Sequence, residues 1–268
     1  MEYIIMRLAR RFVFSDSLLR HIGRFIPYYQ TNVGVVDPAS IASLFLKHLD
    51  DLRVSLEGKT ILEIGCGQTM AVGYALAASR GCNVIGYEPY VPFNPALDTR
   101  LKATLFCQSL SSAPTVRWTS DLGSISPTSI DIVVSNSVLE HVTDVDCLLA
   151  DLDPLLVPEA IHLHQIDYRD HFFKYPYEFL TFNQRIWNRW LNPGDLPRLR
   201  LDDHIARFHT AGWEVSIRER DEDPTAFQRV ESRLHPDFAS RSALAQRTTR
   251  ALLSAHRASA HSDSSKAQ

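Results

Sequence analysis

Cysteine is scarce and unpatterned in this chain: Cys66, Cys82, Cys107 and Cys147 show no CxxC spacing. A disulfide framework and a zinc knuckle are thereby disfavoured, and the four thiols are expected to be reduced, in a cytoplasmic protein. The opening stretch MEYIIMRLARRF lacks the 7–15-residue apolar segment of a secretory signal. No run approaches the ~20 apolar residues that cross a bilayer. There is no G-K-[S/T] after a glycine loop and no G-x-S-x-G elbow, which removes P-loop nucleotide hydrolysis and serine hydrolysis. Internal repeats are also missing.

What is present is enough for a core. Of 268 residues, 45% are apolar and 22% charged, the balance of a globular domain rather than a disordered chain. The net charge of −3 is unevenly spread. Residues 1–30 carry +3 and residues 240–268 carry +4, which leaves −10 for the body between them. So acidic a body excludes nucleic acid as a partner and favours a small-molecule one.

Residues 3–26 read as helical, with Ile5, Leu8, Phe12, Phe14, Leu18, Ile22 and Phe25 at three- and four-residue steps. Ser15 or Asp16 caps a second helix within the stretch. Residues 1–33 are thus expected to be a helical appendage on a domain spanning 34–258, with 259–268 a small polar, disordered tail. The five arginines of the appendage also suit weak peripheral contact with anionic lipid through residues 1–30.

From residue 59, strands alternate with helices: KTILEIG, a helix stopped by Gly81, CNVIGYE, TVRW, SIDIVVSN, a further helix, and AIHLHQID. This alternation predicts an α/β fold, a doubly wound and mostly parallel seven-stranded sheet. TTRALLSAHR is read as its last strand, with a helix as the alternative. Ligands in such sheets bind beyond the carboxyl ends of the strands, where the strand order reverses. Residues 168–200, crowded with aromatics and prolines, read as an insertion after strand five and a lid over an acceptor. Within it, Arg198 and Arg200 either clamp an anion or pair with Asp202 and Asp203.

Three strand ends carry the chemistry. Gly65 and Gly67, directly after strand one, allow a ligand to approach the backbone, and Glu63 supplies an acid just before them. Met70 stands where a dinucleotide fingerprint needs a small residue, so nicotinamide binding is disfavoured. Glu88, at the end of strand two, suits the two hydroxyls of a ribose. Asp121 and Leu122 follow strand three, where they can flank an adenine. Asn136 and Ser137 close strand four.

ILEIGCGQT, VIGYEP, the acid after strand three and SIDIVVSNSVLEHV together resemble the successive motifs of class I S-adenosylmethionine-dependent methyltransferases, in the bacterial small-molecule and glycan-pathway group. The resemblance covers residues 59–167. It implies S-adenosylmethionine as cofactor, with Glu63, Gly65 and Gly67 around its methionine portion, Glu88 on the ribose, Asp121 and Leu122 at the adenine, and Asn136 and Ser137 beneath the sulfonium. The implied reaction is methyl transfer to a small-molecule acceptor, a hydroxyl of a sugar or natural product. A non-catalytic cofactor-binding partner protein and an NAD(P)-dependent oxidoreductase are the alternatives.

An alcohol acceptor needs a base, and histidine is the side chain whose ordinary titration lies nearest neutrality. Candidates are His141 after strand four, and His162, His164 and His171 around strand five, with His164 and His171 preferred and Asp167 to orient one of them. His162 and His164 share one face of their strand. Glu140 and His141 with His164 and Asp167 are the residues a divalent ion would use, but no metal site is expected.

Overall fold

The computed structural model describes residues 2–12, 37–105, 114–172, 174–192, 194 and 196–257. The second N-terminal helix expected from the sequence, the expected disordered tail and Cys107 lie outside the described residues.

Seven strands form one sheet in the order β3-β2-β1-β4-β5-β7-β6. They are β1 Thr60–Ile64, β2 Asn83–Tyr87, β3 Val116–Thr119, β4 Ile130–Asn136, β5 Leu156–Asp167, β6 Trp213–Glu222 and β7 Thr248–Arg257. All pairings from β3 to β5 are parallel, whereas β7 runs antiparallel between β5 and β6. The last segment is therefore a strand, which settles the choice left open for TTRALLSAHR. The central strands read as unbroken apolar runs because helices cover both of their faces. The order reverses between β1 and β4, so their carboxyl ends open the crevice at the switch point.

Local signals set the helices. Helix α1 is Glu2–Phe12. Asp37 caps α2, Pro38–Asp51, by accepting the Ser40 amide, and proline sits at its first position. Helix α3, Ala71–Arg80, ends at Gly81 in the left-handed conformation. Helices α4, Pro95–Leu105, α5, Val145–Leu152, and α6, Leu201–Thr210, complete the set that flanks the sheet.

One core, around Leu62, Val133, Leu149, Phe208 and Trp213, lies on one face of the sheet. The other, around Phe45, Leu49, Leu76 and Val84, lies on the opposite face.

The insertion after β5 has a core of its own. Tyr177, Phe179, Trp187 and Leu191 pack with Phe227 and Phe238 from the segment before β7. Most of its rings thus face inward and form the body of the insertion. These residues form a third, smaller core because the insertion leaves the sheet and must bury itself.

The expectation for Arg198 and Arg200 is corrected. Both are buried and donate within the protein: Arg198 to the carbonyls of Phe179 and Phe182 at 2.7 Å and to Gln184 Oε1 at 2.5 Å, Arg200 to the carbonyls of Tyr168 and Thr248 at 2.6 Å and of Ala245 at 3.0 Å. The acids expected to pair with them, Asp202 and Asp203, are held by Arg241 instead.

Helix α1 docks on this insertion. Its Arg7 and Tyr3 side chains both reach the buried carboxylate of Asp170, and Tyr3 stacks on Phe182 with ring centroids 5.9 Å apart. Arg7 is 2% exposed, so this arginine does not belong to a lipid-facing cationic surface. No described helix is long and apolar enough to cross a membrane.

Candidate active site

The glycine turn after β1 is held from three sides. The Gly65 amide donates to the Tyr87 carbonyl at 2.8 Å, and the Gly67 amide donates to Glu88 Oε2 at 3.2 Å. Trp118, at the end of β3, donates its indole N–H to the Gly67 carbonyl at 3.0 Å. Both glycines have positive φ, +73° and +69°, where a side chain is strained. Their surroundings differ. A Cβ on Gly65 would lie 2.4 Å from Val138 Cγ2, whereas nothing lies within 4 Å of one on Gly67. Gly65 is therefore required by packing against the segment after β4, and Gly67 borders the open space of the crevice.

Two acids face this turn. Glu63 is buried, and its Oε2 has no hydrogen-bond partner among the described residues. Burial pushes its pKa up to about 8, with the Gly73 amide opposing. Glu88 Oε1 accepts the amides of Tyr90 and Val91, at 2.9 and 3.1 Å, in addition to the Gly67 bond on Oε2. A carboxylate has about four acceptor positions, so Glu88 keeps one open and can gain a second by exchanging the long Gly67 contact.

Asp121 caps the turn Leu122–Ser124 by accepting the Gly123 amide at 2.8 Å and remains exposed, with Leu122 half-buried beside it. Asn136 ends β4. Ser137 follows with φ of +55°, and its amide donates to the Gln165 carbonyl at 2.9 Å. These residues ring the carboxyl ends of β1 to β4, as their spacing in the chain implied. Trp118 was not singled out in the sequence, because an aromatic at a strand end reads equally well as core.

The histidines separate into two groups. His164 is 1% exposed. Its Nδ1 lies 2.7 Å from Ser135 Oγ and its Nε2 lies 3.1 Å from His162 Nδ1. Phe208 of α6 packs on its ring, and Trp213 packs on that of His162. Burial holds both rings neutral, with His162 lowered to about 3 and His164 well below the ordinary histidine value. His164 is enclosed between sheet and helix, so its expected role as a base toward an acceptor is corrected. Asp167 is gripped by Arg169, whose Nε donates to both of its oxygens at 2.9 and 3.1 Å.

His141 and His171 are half-buried and lie together, ring centroids 4.8 Å apart. The turn Leu139–His141 brings one of them from the end of β4, and the first residues of the insertion bring the other. Beside them is Glu140, 3% exposed. The amides of Glu140 and Asp167 favour its ionised form but do not meet hydrogen-bond geometry, so neither carboxyl oxygen has a partner among the described residues. Burial raises this carboxyl to about 8.

Residues 39–221 match the model of a family described as a methyltransferase domain. The chain belongs to this methyltransferase family. No curated protein matches it. Among solved structures it is similar to phosphoethanolamine N-methyltransferase 2 of Haemonchus contortus in complex with phosphomonomethylethanolamine and S-adenosylhomocysteine, with 15% identity over 93% of this chain and 59% of that one and a TM-score of 0.55. A second structure of that nematode enzyme, with S-adenosyl-L-methionine, has 16% identity, the same coverage of both chains and a TM-score of 0.53. At this identity the likeness is one of fold, and the methyltransferase spans about 59% of the length of these relatives.

Proposed function

We propose that this methyltransferase uses S-adenosylmethionine to methylate a hydroxyl group of a small molecule, of the sugar or natural-product class. The observation that carries the reading is the glycine turn: Gly67 faces open space, flanked by a buried acid with an unpartnered oxygen and a second acid with acceptor capacity left. This donor and acceptor set fits the cofactor. Glu63 would meet its ammonium group and the turn amides its carboxylate. Glu88 would take a ribose hydroxyl, and Asp121 with Leu122 would border the adenine. Asn136 and Ser137 would form the floor near the sulfur.

When bound, S-adenosylmethionine supplies an electrophilic methyl group on a positively charged sulfur. The chain's own residues then hold the acceptor atom in line with that methyl group, an alignment that can account for much of the acceleration. The polar cluster Glu140, His141 and His171 supports a hydroxyl acceptor, because an alcohol must part with a proton whereas a neutral amine attacks with a free lone pair. His162 and His164 stay neutral and buried, and take no part in that transfer.

A screen of hydroxyl-bearing small molecules with methyl-labelled S-adenosylmethionine tests the reading. Label should pass to an alcohol or phenol, and His171→Ala should lower kcat by about 10²–10⁴-fold with cofactor affinity kept. Transfer to amines alone, or turnover unaltered in His171→Ala, would contradict a hydroxyl acceptor handled by this cluster.

A further inference from the structure

Glu140, His141 and His171 offer one donor atom each, all within 4.8 Å of one another. Two of these side chains come from the turn after β4 and the third from the start of the insertion after β5, so the sheet's parallel register creates the group. The carboxylate is the decisive member. It is nine-tenths and more buried, with both oxygens unpartnered among the described residues, and leaving such a group unsatisfied costs more than most single interactions return. The other two acids nearby differ on this point. Asp167 is bound by Arg169, and Asp170 by Arg7 and Tyr3. Each of those two carboxylates has an arginine bonded to it, whereas Glu140 feels the charge of Arg169 without a hydrogen bond to either oxygen among the described residues.

We propose that Glu140, His141 and His171 bind a divalent transition-metal ion, which holds the oxygen of the acceptor. The donor set chooses the class of ion. Two imidazoles and one carboxylate suit zinc, cobalt(II) or iron(II), whereas magnesium and calcium prefer oxygen throughout. Bonds of about 2.0–2.2 Å bring neighbouring donors to about 3–3.5 Å apart. An ion would draw the donors inward from their present spacing of up to 4.8 Å. Three protein ligands leave a coordination position open, as in metal centres that act on a bound substrate.

The site rests on the methyl-transfer reading and adds to it a means of activating the acceptor. A hydroxyl on such an ion ionises several units lower than in water. Its proton leaves to solvent and its oxygen forms the new bond to the methyl carbon. The carbon–sulfur bond breaks, and its electron pair remains on sulfur. The two histidines then serve as ligands, and the ion replaces them in easing the loss of the proton.

Cobalt(II) chloride is the probe, added to chelator-treated full-length protein and followed by visible absorption and calorimetry. One equivalent should bind, with ligand-field bands of a nitrogen- and oxygen-coordinated ion, and zinc chloride should displace it. His171→Ala and Glu140→Gln should weaken binding at least about tenfold, since even partners one shell removed from a metal are worth that much. Cys147→Ser, at an exposed position of α5, should leave it unchanged and so excludes the free thiol as the ligand. His171 is half-buried, so its variant keeps the test decisive if Glu140→Gln fails to fold. No stoichiometric cobalt binding, or equal binding by His171→Ala, would overturn the site. S-Adenosylmethionine titrations on the same samples separate the two claims. Cofactor binding without metal binding rejects the metal site alone, and metal binding without cofactor binding rejects the transferase reading while leaving the site in place.

Discussion

Gly65 and Gly67 share a conformation but not a neighbourhood, and substitution should reveal this. At Gly67 an added Cβ meets only the cost of a left-handed backbone, about 1–2 kcal/mol. At Gly65 the same cost is joined by overlap with Val138, and overpacking typically adds about 1–3 kcal/mol. Gly65→Ala should therefore melt at lower temperature than Gly67→Ala, and adding Val138→Ala to the former should restore part of the loss. Equal melting temperatures for the two glycine variants would show that Val138 yields freely. The turn itself was readable as a motif. The reason for its first glycine was not, because Val138 lies far along the chain and meets it only through the pairing of β1 with β4.

At the scale of elements, α1 is tied to the insertion by a buried charge pair rather than by apolar contact alone. Arg7 lies against the rings of Phe172 and Trp187, at 5.0 and 5.2 Å from its guanidinium carbon, while reaching Asp170. Arg7→Met leaves the Asp170 charge buried with Tyr3 and the Phe172 amide as its donors among the described residues, and breaking such a pair from one side costs about 3–5 kcal/mol. Chemical denaturation should show a loss of that order, and Arg7→Met with Asp170→Asn should lose less than the single variant. Additive losses would mean that the two groups do not interact.

The periodicity of α1 was legible, but the inward direction of Arg7 was not, because arginines on an amphipathic helix are ordinarily solvated. The insertion repeats the lesson. Its aromatics were visible by composition, and only the chain's return through Phe227 and Phe238 shows that they form a core.

For the molecule as a whole, the mostly parallel sheet, the helix alternation and the ring of strand-end residues followed from local pattern, since each parallel strand signals itself by an apolar run and a turn; the order of the strands did not. The histidines did not, because alternate positions on a strand fix a shared face without telling which layer covers it. Helix α6 covers His162 and His164, whereas His141 and His171 lie together, half-buried, after β4 and β5.

The same burial makes stability depend on pH. The folded-state pKa of Glu63, about 8, stands above its ordinary 4.5, so folding favours the neutral carboxyl. That contribution is intact below about pH 4.5 and is lost as pH rises through 8. The cofactor-free protein should lose stability across this window, and Glu63→Gln should lose less. Parallel melting curves for the two would place Glu63 in water.

The most direct measurement is a calorimetric titration of the purified chain with S-adenosylmethionine, alongside NADH and the Glu88→Ala variant. One equivalent of S-adenosylmethionine should bind, and NADH should give no binding. Glu88→Ala should weaken the cofactor by about 1.5–3 kcal/mol, the range for a hydrogen bond to a charged group. A folded chain that fails to bind S-adenosylmethionine, or a Glu88→Ala variant that binds it as tightly as the parent, would contradict a cofactor site at the ends of β1 and β2.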